Sequence, residues 1–132
     1  MIVDTSALIA ILRDEAEADA FTQALDSESQ PKMSVVSYVE AGVATDSARD
    51  ARVSRRLDDL IRVSEIEIEI VPVTLEQGQM AREAYRDFGK GSGHPARLNF
   101  GDCFSYALAR EAREPLLFKG ADFPATDVEV AL

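Results

Sequence analysis

Cysteine and histidine each occur once in the 132 residues, as Cys103 and His94. One cysteine excludes a disulfide framework within the chain and a cysteine zinc cluster. One histidine excludes most zinc-hydrolase ligand sets. No apolar run approaches the roughly 18 residues of a membrane span, and no basic stretch followed by a cleavage site opens the chain, so a cytoplasmic home is expected. Basic residues are also short: 14 Lys and Arg stand against 24 Asp and Glu, a net charge of −10. That balance argues against holding nucleic acid through a broadly basic face. Carboxylates gathered to await divalent cations would account for part of it.

What is present suits a single globular domain over residues 1–132, with an ordinary 46% of hydrophobic residues. Ile2-Val3 reads as a strand running into Asp4, with Thr5-Ser6 at the start of a helix whose apolar body is Ala7 to Leu12. A second helix is predicted over Ala16–Ser27, followed by a loop to Pro31 and a strand over Lys32–Val36. Ser37-Tyr38-Val39-Glu40 matches a capping box opening a helix to Ser47. An amphipathic helix over Arg49–Ile66 precedes the alternating Glu65-Ile66-Glu67-Ile68-Glu69-Ile70-Val71, the two-residue period of a half-exposed strand.

Thr74 to Gln77 again matches a capping box, for a helix through Phe88. Gly89 to Arg97 reads as an exposed loop, and Asn99 as the cap of a helix over Phe100–Ala112. Pro115 to Phe118 is a buried strand, Lys119 to Asp122 a turn, and Val128 to Val130 a last edge strand. Strands alternating with helices, joined by connections too long for hairpins, predict a three-layer α/β/α sandwich on a mainly parallel sheet.

In such a fold chemistry gathers beyond the carboxyl ends of the strands. Asp4 follows the first strand, Glu40 and Asp102 sit on first helical turns, and Asp122 lies just past the last buried strand. Magnesium and manganese take hard oxygen ligands, and neighbouring carboxylates repel until a dication joins them. A metal so held polarises a phosphoryl oxygen and activates water. Each acid also has a plain structural reading. Asp4 suits a helix cap, Glu40 a capping box, Asp102 the helix dipole and Asp122 a turn. Only the metal reading requires all four on one rim.

At these residues the chain resembles the PIN-domain family, and most closely the VapC-type toxins of VapBC toxin–antitoxin pairs. The matching blocks are Met1-Ile2-Val3-Asp4-Thr5-Ser6-Ala7-Leu8, Ser37-Tyr38-Val39-Glu40, Leu98-Asn99-Phe100-Gly101-Asp102-Cys103 and Leu117-Phe118-Lys119-Gly120-Ala121-Asp122-Phe123. The resemblance implies a Mg2+- or Mn2+-dependent endoribonuclease that inhibits translation until a VapB-type antitoxin occludes it, acting as a homodimer. By position it implies Asp4, Glu40 and Asp102 as metal-binding acids, with Glu40 direct or through water. Asp122 is the fourth acid, although Ala121 stands where Asn is common. It also implies Thr5 or Ser6 as a hydroxyl near the reacting water and Asn99 as a residue orienting the acids.

Arg13, Lys90, His94, Arg97 and Lys119 are candidates for RNA contact; otherwise His94 is a solvated loop residue. Phe21, Tyr38, Tyr85, Phe100 and Tyr106 fall at helical spacing and read as core. The antitoxin would cover the apolar faces of the N-terminal helices. Two rivals remain, a metal-dependent phosphatase and an inert PIN-like binding module. Phosphatases of the haloacid-dehalogenase type need an acid two residues after the first, where this chain has Ser6.

Overall fold

A computed structural model describes residues 1–62 and 67–132. Four strands, β1 (Ile2–Val3), β2 (Lys32–Ser34), β3 (Glu69–Val71) and β4 (Leu116–Leu117), form one sheet in the order β3-β2-β1-β4. Every pairing is parallel, with Ile2 opposite Lys32 and Leu116, Val3 opposite Leu117, and Met33 opposite Ile70. The helices are α1 (Thr5–Leu12), α2 (Ala18–Asp26), α3 (Val35–Asp46), α4 (Ala51–Arg62), α5 (Leu75–Phe88) and α6 (Phe100–Ala112).

Strand residues alternate between the two faces, and the core divides accordingly. Val3, Met33 and Leu117 pack with Leu8, Phe21, Leu57 and Ile61 on one side. Ile2 and Leu116 pack with Ala84, Leu98, Ala107 and Leu108 on the other. This is the predicted three-layer arrangement. Strands β1 and β4 are short but sealed on both faces, as parallel strands require.

Several boundaries differ from expectation. Ser34, not Ser37, caps α3, accepting from the Val36 N–H at 3.3 Å. Glu40 therefore lies in the second turn and belongs to no capping box. Ser37 is helical and buried, its hydroxyl drawn to a distant partner. Thr74 does cap α5, but the Gln77 side chain donates to Glu111 at 2.6 Å instead of returning to the cap. The last edge strand reduces to a single parallel bridge between Leu116 and Val130. The readings placed on residues 63–66, the end of the amphipathic helix and the start of the alternating strand, lie outside the described residues.

Apolar exposure also falls elsewhere. Ala7, Leu8, Ala10 and Phe21 of the N-terminal helices are buried, while Ile9, Ile11, Leu12, Ala24 and Leu25 stay partly exposed. Val39 and Val43 of α3 are exposed, as are three aromatics read as core, Tyr38, Tyr85 and Phe100.

Candidate active site

Asp4 is where the sheet meets the site. Its N–H donates to the Leu117 carbonyl at 2.9 Å, extending the β1–β4 pairing by one bond. Its side chain then caps α1: Oδ2 accepts from the Ser6 N–H at 2.9 Å and the Ser6 hydroxyl at 2.6 Å. Ser6 Oγ accepts in turn from the Lys119 N–H at 2.9 Å, which binds the exit of β4 to the same corner. Oδ1 accepts from the Ser105 hydroxyl at 2.6 Å. Only 3% of Asp4 is exposed, so these donors replace most of its water.

Asp102 reaches the rim from α6. Asn99 Oδ1 accepts from the Asp102 N–H, and Asp102 Oδ2 accepts from the Asn99 N–H, each at 2.9 Å. This reciprocal box fixes the first turn of α6. Asp102, read from the sequence as a residue suited to the helix dipole, thus also completes the cap of its helix. Burial raises its carboxyl, the Asn99 N–H opposes this, and the charges of Asp4, Asp122 and Glu40 add to the rise, which reaches about 7.

Glu40 comes from α3 and lies against the backbone of Gly101. A β-carbon at Gly101 would fall 1.9 Å from Glu40 Oε2, so only glycine leaves that carboxylate its place. Burial raises the Glu40 carboxyl above the ordinary range, the Thr5 hydroxyl opposes this, and the charge of Asp4 adds to it. Asp122 is exposed, on a turn after β4, and makes no cap for the short 3-10 turn at Phe123–Ala125.

Four acids distant in sequence therefore influence one another at one end of the sheet. They are not drawn into a coordination shell: among the described residues no three carboxylate, imidazole or thiol groups are close enough to hold an ion. In kind the donors suit a hard dication. They are carboxylates, and their mutual repulsion, read at Asp102, is the term a bound cation would remove. A groove of about 610 Å3 between α3 and α4 contains none of these four acids.

The cations behave unequally. Arg13, Lys90 and Arg97 are exposed. Lys119 is spent on Glu15 at 2.5 Å and Glu17 at 3.1 Å, across the loop between α1 and α2. His94 lies on the loop but is half-buried rather than fully solvated. Its ring packs edge-on to Phe88 at 4.9 Å, and Nδ1 accepts from the Ala96 N–H at 3.1 Å. Cys103 is buried, donates to the Asn99 carbonyl at 3.2 Å, and has its thiol pushed up to about 11 by burial and the charge of Asp102.

Sequence reasoning missed two residues here, Ser37 and Ser105. A signal existed, because each lies three positions from an acid on its own helix, Ser37 before Glu40 and Ser105 after Asp102, and that spacing shares a face.

The profile of the PIN domain matches residues 1–129. The chain belongs to the PIN-domain family. This PIN domain is 58% identical to Ribonuclease VapC28 of Mycobacterium tuberculosis over 132 residues, covering 100% of this chain and 98% of that protein. Among solved structures it is similar to Mycobacterium tuberculosis VapC20, described as a sarcin-ricin loop cleaving toxin, with a TM-score of 0.74 over 99% of this chain and 97% of that one. It is also similar to a chain of a toxin–antitoxin complex from Klebsiella pneumoniae, with a TM-score of 0.65 over 98% of each. Both structures are 19% identical to the PIN domain and bear on its fold alone. Among its described residues no helix is long and apolar enough to cross a membrane.

Proposed function

We propose that this PIN domain is a Mg2+- or Mn2+-dependent endoribonuclease, the toxin of a toxin–antitoxin pair, which cleaves RNA in the cytoplasm and thereby inhibits translation. One observation carries the reading: acids far apart in sequence meet at one end of the sheet, Glu40 against Gly101 next to Asp102, and Asp4 bonded through Ser105 to the same helix, with the Asp102 carboxyl held above its ordinary range in consequence. Strongly perturbed carboxyls in such company mark sites built for a cation or a proton. The kinship with VapC28 supports RNA as the substrate class.

Asp4, Asp102 and Glu40 would hold the ion once it drew them together, Glu40 directly or through water, with Asp122 in support. When bound, the dication supplies Lewis acidity for a phosphoryl oxygen and offsets the negative charge that phosphodiester hydrolysis builds up. Ser6 and Ser105 fix the Asp4 carboxylate by its two oxygens. Asn99 holds Asp102 by its backbone N–H. Thr5 lies beside Glu40 and donates to the Ser37 carbonyl at 3.0 Å, tying α1 to α3. Arg13, Lys90 and Arg97 meet RNA phosphates. Ser6 bears no negative charge and is engaged with both Asp4 and Lys119, which disfavours the phosphatase.

The partners are RNA, a VapB-type antitoxin and a second copy of the chain. The exposed Tyr38, Val39 and Val43 of α3 support a protein partner, since contiguous apolar surface is seldom left open without one.

The test is RNA cleavage by the purified protein with Mg2+ or Mn2+, with and without excess chelator, beside Asp4→Asn and Asp102→Asn. Cleavage is expected to need the ion and to vanish in both variants while circular dichroism stays native. Undiminished cleavage in chelator would falsify the metal mechanism. Turnover of a simple phosphomonoester with RNA left intact would favour the phosphatase, and growth arrest that survives loss of the carboxylates would favour the inert module.

A further inference from the structure

Behind Asp4 lies a pair of buried hydroxyls, Ser105 on α6 and Ser37 on α3, respectively 0% and 1% exposed. The Ser105 hydroxyl is 2.6 Å from Asp4 Oδ1, and the two serine oxygens are 2.9 Å apart. Proton bookkeeping fixes the direction of this chain. An ionised carboxylate only accepts, and a serine has one proton to give. Ser105 gives its proton to Asp4, so the Ser37 hydroxyl must donate to Ser105. The order is Ser37 to Ser105 to Asp4, crossing from α3 through α6 to the end of β1.

We infer that Ser105 is a positioning residue for the Asp4 carboxylate and that Ser37 holds Ser105 in register, so that the two helices carrying Glu40 and Asp102 also set the orientation of the acid between them. The inference rests on the reading of Asp4 as a metal-binding acid. Each hydroxyl sits one turn from the acid of its own helix, Ser37 before Glu40 and Ser105 after Asp102. A shift of either helix that moved its acid would therefore also move the support of Asp4. With Oδ2 claimed by Ser6, the bond from Ser105 prevents rotation of the carboxylate about its Cβ–Cγ bond. Buried hydroxyls in a core need partners too, and a purely structural pair would satisfy each other and stop there. This pair spends its proton on the acid.

The experiment is calorimetric titration of Mn2+ into the 132-residue chain without RNA, for wild type, Asp4→Asn, Ser105→Ala, Ser105→Cys, Ser37→Ala and the double alanine variant. Thermal unfolding in chelator is measured beside it. Partners that orient a ligand typically contribute 10–100-fold to affinity. Ser105→Ala is expected to weaken Mn2+ binding about tenfold by that principle. Ser105→Cys fills the space with only a weak donor, so it should bind as poorly and covers the case where the alanine variant does not fold. Ser37→Ala is expected to lose less, and the double variant to match Ser105→Ala alone, because Ser37 acts only through Ser105.

Wild-type affinity in folded Ser105→Ala or Ser105→Cys, with Asp4→Asn defective, overturns the relay and leaves the metal reading standing. So do losses from Ser37→Ala and Ser105→Ala that simply add, or a drop in melting temperature with unchanged affinity. Absence of Mn2+ binding by the wild type overturns the metal reading, and the relay with it.

Discussion

Gly101 and Asp102 are adjacent, yet they constrain the site in opposite ways. Gly101→Ala adds a methyl where Glu40 Oε2 now lies. Alanine is better than glycine in a helix by about 1 kcal/mol, so the fold should keep or gain stability while Glu40 is displaced. We expect RNA cleavage to fall at least about tenfold, since small misplacements at a reacting centre are costly, with the melting temperature unchanged or higher. Retained activity would mean that Glu40 does not work from this position. Asp102 ties stability to pH. Its folded value of about 7 lies above its ordinary 3.8, so ionisation favours the unfolded chain. Its contribution is full below about pH 4 and is lost as the pH rises toward 7, a change on the order of a few kcal/mol. Melting temperatures in chelator should fall across that window, and Asp102→Asn should shrink the fall. Some slope will persist, because the Glu40 carboxyl is raised as well.

At the scale of the element, α6 does the most to assemble the site, and its start is the most legible boundary in the chain. Asn99 and Asp102 form their reciprocal cap within four residues, so the pattern in the sequence and the bonds in space coincide. Asn99→Ala should cost about 1 kcal/mol of stability. It leaves the backbone N–H to Asp102 in place, so cleavage should decline less than in Asp102→Asn; chemical denaturation and initial rates separate the two effects. The start of α3 was illegible for the converse reason. Ser37 and Glu40 have the spacing of a capping box, but the hydroxyl of Ser37 is committed to Ser105, 68 residues away. Local pattern cannot register such a competitor. The same holds for Lys119, a free cation in the sequence and an ion-paired one in the fold, its partners 104 and 102 residues earlier. Strand positions were readable because burial on both faces leaves Ile2-Val3 and Leu116-Leu117 wholly apolar. The positions of the exposed aromatics were not, because helical spacing alone does not say which face a helix turns inward. Phe100 shows this at 71% exposure.

Over the whole molecule, the proposed RNA substrate sets a polyanion against a net charge of −10. Of the four Lys and Arg proposed for RNA contact, Arg13, Lys90 and Arg97 are exposed and Lys119 is ion-paired, so a salt response of only a few phosphates is expected. Arg97→Ala is expected to lower the slope of log affinity against log salt by about 1, while Lys119→Ala should leave it unchanged. Filter binding at several salt concentrations, on a cleavage-dead Asp4→Asn background, measures both. An equal effect from the two would show that Lys119 leaves Glu15 and Glu17 when RNA arrives. Asp4 and Asp122, finally, are anchored very differently. The first is tied by its amide to the centre of the sheet, while the second is exposed two residues past Gly120, whose φ is +120°. The Asp4 side of the site is therefore expected to be stiff and the Asp122 side to yield. Deuterium uptake should be slow at the amide of Asp4 and fast around Asp122, so strands of different girth would be accommodated by movement on the yielding side alone.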